Sequence, residues 1–310
     1  MNSFWGLVGF NVVVLAILAL DLGVLHHRSQ KVSLKEAASW SAVWVALSLS
    51  FALAVYRTMG NQAGLEFLTG YLIEYALSVD NIFVFVLIFS SFKVPEEYQH
   101  RVLFWGIIGA LVLRGVMIVA GSVLVARFSW TLYIFGAFLV FTGIKMALQK
   151  DELPYNAAHD PILRLARRLI PVTTEYRGDK FFVEEPDATG TMRRAATPLF
   201  IVLLIVESTD IIFATDSIPA VFAVTRDPFI VYTSNVCAIL GLRALYFLLG
   251  GVVDKFVYLK LGLSLILVFI GMKMLLEPLI HIPILGSLGV VGAVLAASIV
   301  ASLRWPRTRH

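Results

Sequence analysis

Thiol and imidazole ligands are nearly absent from this chain. A single cysteine, Cys237, allows no intrachain disulfide and no cysteine-rich metal site. The six histidines (His26, His27, His100, His159, His281 and His310) all fall outside the long apolar runs, so a zinc or copper site of His/Cys type has no materials in the predicted spans. Charge is scarce as well: 15% of the 310 residues are Asp, Glu, Lys or Arg, 59% are hydrophobic, and the mean hydropathy is +0.84. A soluble domain of this length is excluded. The first residues lack the positive charge of a signal peptide, and the run that follows is too long for one, so no cleavage is expected.

What is present is apolar length. A spanning helix needs about 20 mainly apolar residues, and nine segments qualify: Phe4 to Leu25, Ala37 to Val55, Phe67 to Phe89, Val102 to Ala126, Trp130 to Leu148, Pro198 to Ala223, Phe229 to Gly250, Leu259 to Leu276 and Ile284 to Leu303. The expected fold is all-α, a polytopic membrane protein with about nine transmembrane helices; a barrel is not indicated. Loops on one side collect most of the Lys and Arg, among them Arg28, Lys93, Arg101, Arg164, Arg193 and Arg304, whereas the other side holds Arg57, Arg127 and Arg226. Basic loops stay cytoplasmic, so the amino terminus is expected outside and the carboxyl terminus inside.

Between the fifth and sixth segments the chain turns polar. Within this stretch Lys180 to Glu185 and Thr191 to Thr197 flank a Pro-Asp-Ala-Thr-Gly turn and predict a small hairpin over the membrane face. The expected organisation is two N-terminal helices (1–60), a first three-helix unit (65–148), a cytoplasmic loop with a hairpin (149–197), a second three-helix unit (198–276), and a C-terminal helix with a basic tail (284–310).

The two units repeat one another. Glu74 and Asp80-Asn81 in the third segment are spaced as Asp210 and Asp216-Ser217 are in the sixth; Arg114 and Arg243 lie in the next spans; Lys145 in GIKM and Lys273 in GMKM lie in the spans after those. Each unit has three spans, an odd number, so the second enters the membrane from the opposite face. Inverted repeats of this kind build many secondary transporters, with the binding site near the midplane.

Five carboxylates, Glu74, Asp80, Glu207, Asp210 and Asp216, therefore sit in segments that should cross a bilayer. Each acid costs about 2.5–3.5 kcal/mol at mid-depth even on a lenient scale, so such residues face the protein interior and mark ion pathways. Carboxylates, amide and hydroxyl oxygens and main-chain carbonyls suit Mn²⁺, Mg²⁺ or Ca²⁺. Arg114 and Arg243 are read as ion-pair or gating partners, with Asp80 and Asp216 as candidate counter-ions. Pro219, Ser217 and neighbouring hydroxyls predict a helix broken near 214–219, and Ser78, Asp80 and Asn81 a matching break in the third segment. Asn11 is expected to act as an interhelical hydrogen-bond donor rather than a ligand.

The stretches EYALSVDN (Glu74 to Asn81) and ESTDIIFATDSIPA (Glu207 to Ala220), with the following arginines, the GIKM and GMKM endings and RRAATPLF before the sixth segment, resemble the signatures of the TerC/Alx family of bacterial integral membrane proteins. The resemblance covers roughly residues 5 to 304. It implies an inner-membrane protein related to the LysE-type exporter superfamily and associated with manganese efflux and, by name, tellurium resistance. Carried over by position, Glu74, Asp80, Asn81, Glu207, Asp210 and Asp216 would line the metal path. No catalytic residue, resident cofactor or nucleic-acid partner is expected; the partners are the bilayer and a transported divalent cation, Mn²⁺ by resemblance. A membrane assembly protein using the polar loop is the alternative, and an intramembrane aspartyl protease is disfavoured because neither Asp80 nor Asp210 lies in a G-x-G-D context.

Overall fold

A computed structural model describes residues 3–24, 33–148, 170–186, 192–250, 258–280 and 282–304. Ten helices follow in order among them: α1 Ser3–Val24, α2 Leu34–Met59, α3 Asn61–Ser91, α4 Glu96–Arg127, α5 Thr131–Leu148, α6 Pro198–Phe222, α7 Pro228–Leu240, α8 Leu242–Leu249, α9 Leu259–Leu276 and α10 Ile284–Arg304. Two strands, β1 Phe182–Pro186 and β2 Met192–Ala196, lie between α5 and α6. Among the described residues eight spans are long and apolar enough to cross a membrane, one of them the α7–α8 pair, and α1 contains a shorter apolar helix at Trp5–Ala19. Residues 149–169 of the polar loop and the hairpin turn at 187–191 lie outside the described residues.

The surface is apolar where a soluble protein would be polar. Val116 and Val119 on α4 are each 64% exposed and Ile212 on α6 is 63% exposed, while Arg114 and Glu74 are each 1% exposed. This inversion places lipid outside and the ionised groups within. Local signals fix the helix ends: Ser33 Oγ accepts from the Glu36 N–H at 3.2 Å, and Asp227 accepts from the Phe229 N–H at 2.9 Å ahead of Pro228. Gly60, at φ +99°, makes the tight turn between α2 and α3. α4 starts at Glu96, a turn and a half before the apolar run, and so includes His100.

Two expectations about helix continuity are corrected. α3 and α6 are both unbroken, and the division falls instead at Gly241, where α7 gives way to α8. Of the hydroxyls expected to loosen α6, Thr209 and Thr215 are used inside the helix, donating to the carbonyls of Val206 and Ile212 at 2.8 and 2.6 Å, as Ser208 does to Ile205 at 2.8 Å, whereas Ser217 Oγ lies 3.3 Å from Arg114 Nη1. Pro219 lies in the last turn and leaves the Thr215 carbonyl without its i→i−4 donor, but the helix continues through it to Phe222.

The antiparallel hairpin pairs Phe182 with Ala196 and Glu184 with Arg194. It is anchored to the helix ends of one membrane face. The Phe182 ring packs on Phe200 of α6 at 4.5 Å, Arg101 of α4 pairs with Asp179, and the Tyr176 hydroxyl donates to the Phe92 carbonyl at the end of α3 at 2.8 Å. Because α3 ends and α6 begins at this hairpin face, the two helices run in opposite directions.

Contacts between helices follow the repeat. A Cβ on Gly136 of α5 would meet the Gly271 carbonyl of α9 at 3.1 Å, and one on Gly143 would meet the Ser264 carbonyl at 2.8 Å. Gly143 and Gly271 are equivalent positions, as are Gly136 and Ser264, so α5 and α9 cross antiparallel about a local twofold through small residues. The same relation recurs nearby: Gly121 faces Phe222, and its counterpart Gly250 faces Val86, the counterpart of Phe222.

Candidate functional site

Four helices meet at one guanidinium. Arg114, near the middle of α4, donates through Nε and Nη2 to the two oxygens of Asp210 on α6, at 3.0 and 2.7 Å. Its Nη1 donates to Glu74 on α3, with Ser217 Oγ at 3.3 Å and Asn235 Oδ1 of α7 at 3.4 Å around the same nitrogen. Asn235 Nδ2 in turn donates to the other Glu74 oxygen at 2.9 Å. All five side chains are buried. A guanidinium suits this place because its planar fork grips one carboxylate with two parallel bonds and still reaches a second.

Glu74 and Asp210 are equivalent positions of the two repeats, so each repeat contributes one acid to the shared cation. Two carboxyl groups against one guanidinium leave a formal charge of −1, or one bound proton. The expected pairing differs from this arrangement: Arg114 is held by Glu74 and Asp210, six residues before Asp80 and Asp216 on their helices. A continuous helix carries those six residues through about 1.7 turns, about 120° short of facing the same way, and advances about 9 Å. Since α3 and α6 run oppositely, Asp80 is displaced toward the hairpin face and Asp216 toward the other. Both are half-buried, and Asp216 faces Thr142 and Lys145 of α5. The acids therefore form a ladder along the bundle: Asp80, then the Glu74–Arg114–Asp210 cluster, then Asp216.

Glu207 lies one turn from Asp210 and presses on Gly109 of α4, where any Cβ would overlap its carboxylate; its Oε2 is buried without a hydrogen-bond partner. Asn81 is buried, and its Oδ1 also has no partner. Arg243 on α8 lines a narrow internal cleft together with Asp210, Gly106 and Val206. No cluster of three or more His, Cys, Asp or Glu side chains that could hold a metal ion occurs among the described residues.

Asn235 is a member of the site that sequence reasoning passed over. Its signal is a strongly hydrogen-bonding amide inside PFIVYTSNVCAIL, a span without charge. Its repeat counterpart is Gly106, so the repeat gives no hint of it. Asn11 does make an interhelical bond, but as the acceptor rather than the expected donor: its Oδ1 accepts from the Tyr232 hydroxyl at 2.7 Å, while its Nδ2 donates within α1 to the Leu7 carbonyl at 2.9 Å.

Comparison with known proteins agrees with this architecture. The model of the integral membrane protein TerC family matches residues 59–310. An uncharacterized membrane protein of Myxococcus xanthus is 54% identical over 97% of this chain and 92% of its own. A protein of Escherichia coli K12 named "Putative membrane-bound redox modulator Alx" is 49% identical over 99% of this chain and 95% of its own, and one of the same name in Photorhabdus laumondii is 50% identical over 98% and 97%. No solved structure matches the chain. With matches that span both repeats and every residue around Arg114, this multi-pass membrane protein belongs to the TerC family.

Proposed function

We propose that the chain exports a divalent metal cation, Mn²⁺ in the first place, with Arg114 acting as the resident counter-ion that the cargo displaces. The observation that carries this reading is the axial ladder of acids, with Asp80 and Asp216 on opposite sides of a central pair that shares a single guanidinium. A divalent ion arriving at Glu74 and Asp210 matches their two negative charges, and departure of the guanidinium frees Ser217 Oγ and Asn235 Oδ1 as further oxygen donors. An all-oxygen set of this kind favours Mn²⁺, Mg²⁺ or Ca²⁺ over softer metals. Manganese and the outward direction come from the family resemblance. Tellurite is an anion and fits an acidic path poorly, so an effect on tellurium resistance would be indirect.

In this reading the protein is a transporter rather than an enzyme, and holds no resident cofactor. In the same reading it lies in the bacterial inner membrane with the amino terminus outside and the hairpin face in the cytoplasm, an orientation that the distribution of basic loops supports. The test is cellular Mn²⁺ content and manganese tolerance with Asp80→Asn and Asp216→Asn. Export is expected to fall at least tenfold in each; unchanged export by correctly inserted variants would falsify the proposal.

The name carried by the Alx relatives favours a second reading, an assembly or modulator protein acting through the polar hairpin. The lone, buried Cys237 gives this chain no pair for intrachain dithiol exchange, so a redox effect would pass through a partner or through manganese supply. Deleting 180–197 separates the readings: loss of partner copurification with metal export intact favours the modulator.

A further inference from the structure

The surroundings of Arg114 have a counterpart elsewhere in the fold. Moving each residue to its equivalent in the other repeat turns Arg114 into Arg243, Glu74 into Asp210, Asp210 into Glu74, Ser217 into Asn81 and Asn235 into Gly106. Two of these equivalents, Asp210 and Gly106, line the internal cleft that Arg243 also lines. A third, Asn81, is 2% exposed and keeps an oxygen buried with no donor, whereas its equivalent Ser217 already lies against a guanidinium. A buried acceptor left without a donor is destabilising. The position fits a donor that arrives in another state.

We propose that Arg243 is the alternate counter-ion of the central acids: in the opposite-facing state it donates to Asp210, Glu74 and Asn81, while Arg114 lets go. Gly106, in the place equivalent to Asn235, leaves the room that the incoming side chain needs. The twofold contacts of α5 with α9, and of Gly121 and Gly250 with Phe222 and Val86, allow the two repeats to exchange conformations while the crossing itself is kept. One guanidinium or the other then covers the acids in each resting state, and the acids are open to cargo only between them. Arg243 acts here as a positioning residue, and the idea rests on the transport reading for the purpose of the exchange, not for the exchange itself.

The experiment uses the full chain in proteoliposomes, with Cys237→Ser and spin labels at Gln62→Cys and Ile280→Cys. These residues flank a cavity of about 570 Å³ on the face opposite the hairpin, crossed by the Arg226–Glu277 pair at 3.6 Å. The parent should show two label-to-label distances. Arg243→Gln should retain only the distance found in the present structure, and Arg114→Gln should enrich the other about tenfold. Arg114→Lys, which keeps the charge but loses the fork, should shift the populations the same way by a smaller factor and serves if Arg114→Gln does not insert. Identical shifts from the Arg114 and Arg243 variants, or no shift from either, overturn the exchange. Mn²⁺ flux in the same vesicles separates the two ideas: opposite shifts without flux in the parent refute transport and leave the exchange standing, whereas flux without opposite shifts refutes the exchange alone.

Discussion

Glu74 and Asp210 face one another across a single guanidinium, one from each repeat, each near the middle of its helix. Two acids that would each be costly in a bilayer are made tolerable by one shared partner, and that partner is tied to both repeats at once. The site is therefore also a structural clasp between α3, α4 and α6.

Breaking the clasp has a definite cost. Removing one member of a buried ion pair leaves an uncompensated charge and costs about 3–5 kcal/mol. Arg114→Gln should lower the thermal unfolding midpoint in detergent markedly. The double variant Arg114→Gln, Glu74→Gln should lose less than the sum of the two single losses, because the second change removes the charge that the first exposed. Additive losses in that double-mutant cycle would show that Arg114 and Glu74 are not coupled.

The α5–α9 crossing predicts a separate effect. A Cβ on Gly271 would lie 2.6 Å from the Gly136 carbonyl and 2.9 Å from the Val140 nitrogen, both backbone atoms that cannot swing aside. Gly271→Val should therefore destabilise by about 1–3 kcal/mol, the usual range for overpacking. Gly289→Val on α10, where a Cβ meets nothing within 4 Å, is the matched control and should be near neutral. Equal melting shifts for the two would refute the close crossing.

Much of this was legible in the sequence, for a physical reason. Nine apolar runs and five acids within them are compositional facts that a bilayer turns into structure, since only a buried partner makes such acids tolerable. Continuity of α3 and α6 was not legible, because Ser, Thr and Pro within an apolar run can either break a helix or donate back to its own carbonyls. Ser208, Thr209 and Thr215 do the latter. Which arginine meets which acid was also hidden: Asp80 and Glu74 are equally plausible from spacing, and only the rotation of an unbroken α3 brings Glu74 to Arg114. Asn235 escaped notice since it is neutral and unmatched in the other repeat.

Outside the spans, Tyr176 makes the docking of the hairpin sensitive to alkali. Burial pushes its phenol up to about 12 from the ordinary 10, and its hydroxyl donates to the Phe92 carbonyl. A phenol whose value is raised on folding favours the docked form while it stays protonated. That contribution is complete below about pH 10 and is lost as pH rises toward 12. Hydrogen exchange of residues 170–186 should stay slow up to about pH 10 and then quicken beyond the intrinsic alkaline increase. Tyr176→Phe should be weaker throughout and show no such additional loss; an identical profile in the variant would rule out Tyr176 as the titrating group.

Asn235 allows stability and transport to be separated at one position. Its amide satisfies Glu74 through Nδ2 and offers Oδ1 toward Arg114. Asn235→Leu strips Glu74 of a buried donor and should cost about 1–3 kcal/mol. Asn235→Asp also loses that donor but adds a third acid beside Arg114, so the guanidinium is held more tightly. If cargo must displace Arg114, the Asp variant should need a higher Mn²⁺ concentration for half-maximal flux than the Leu variant, even where the two melt at similar temperatures. A half-maximal concentration that simply follows the melting temperature across both variants would show that Asn235 supports the fold and takes no part in exchanging arginine for metal.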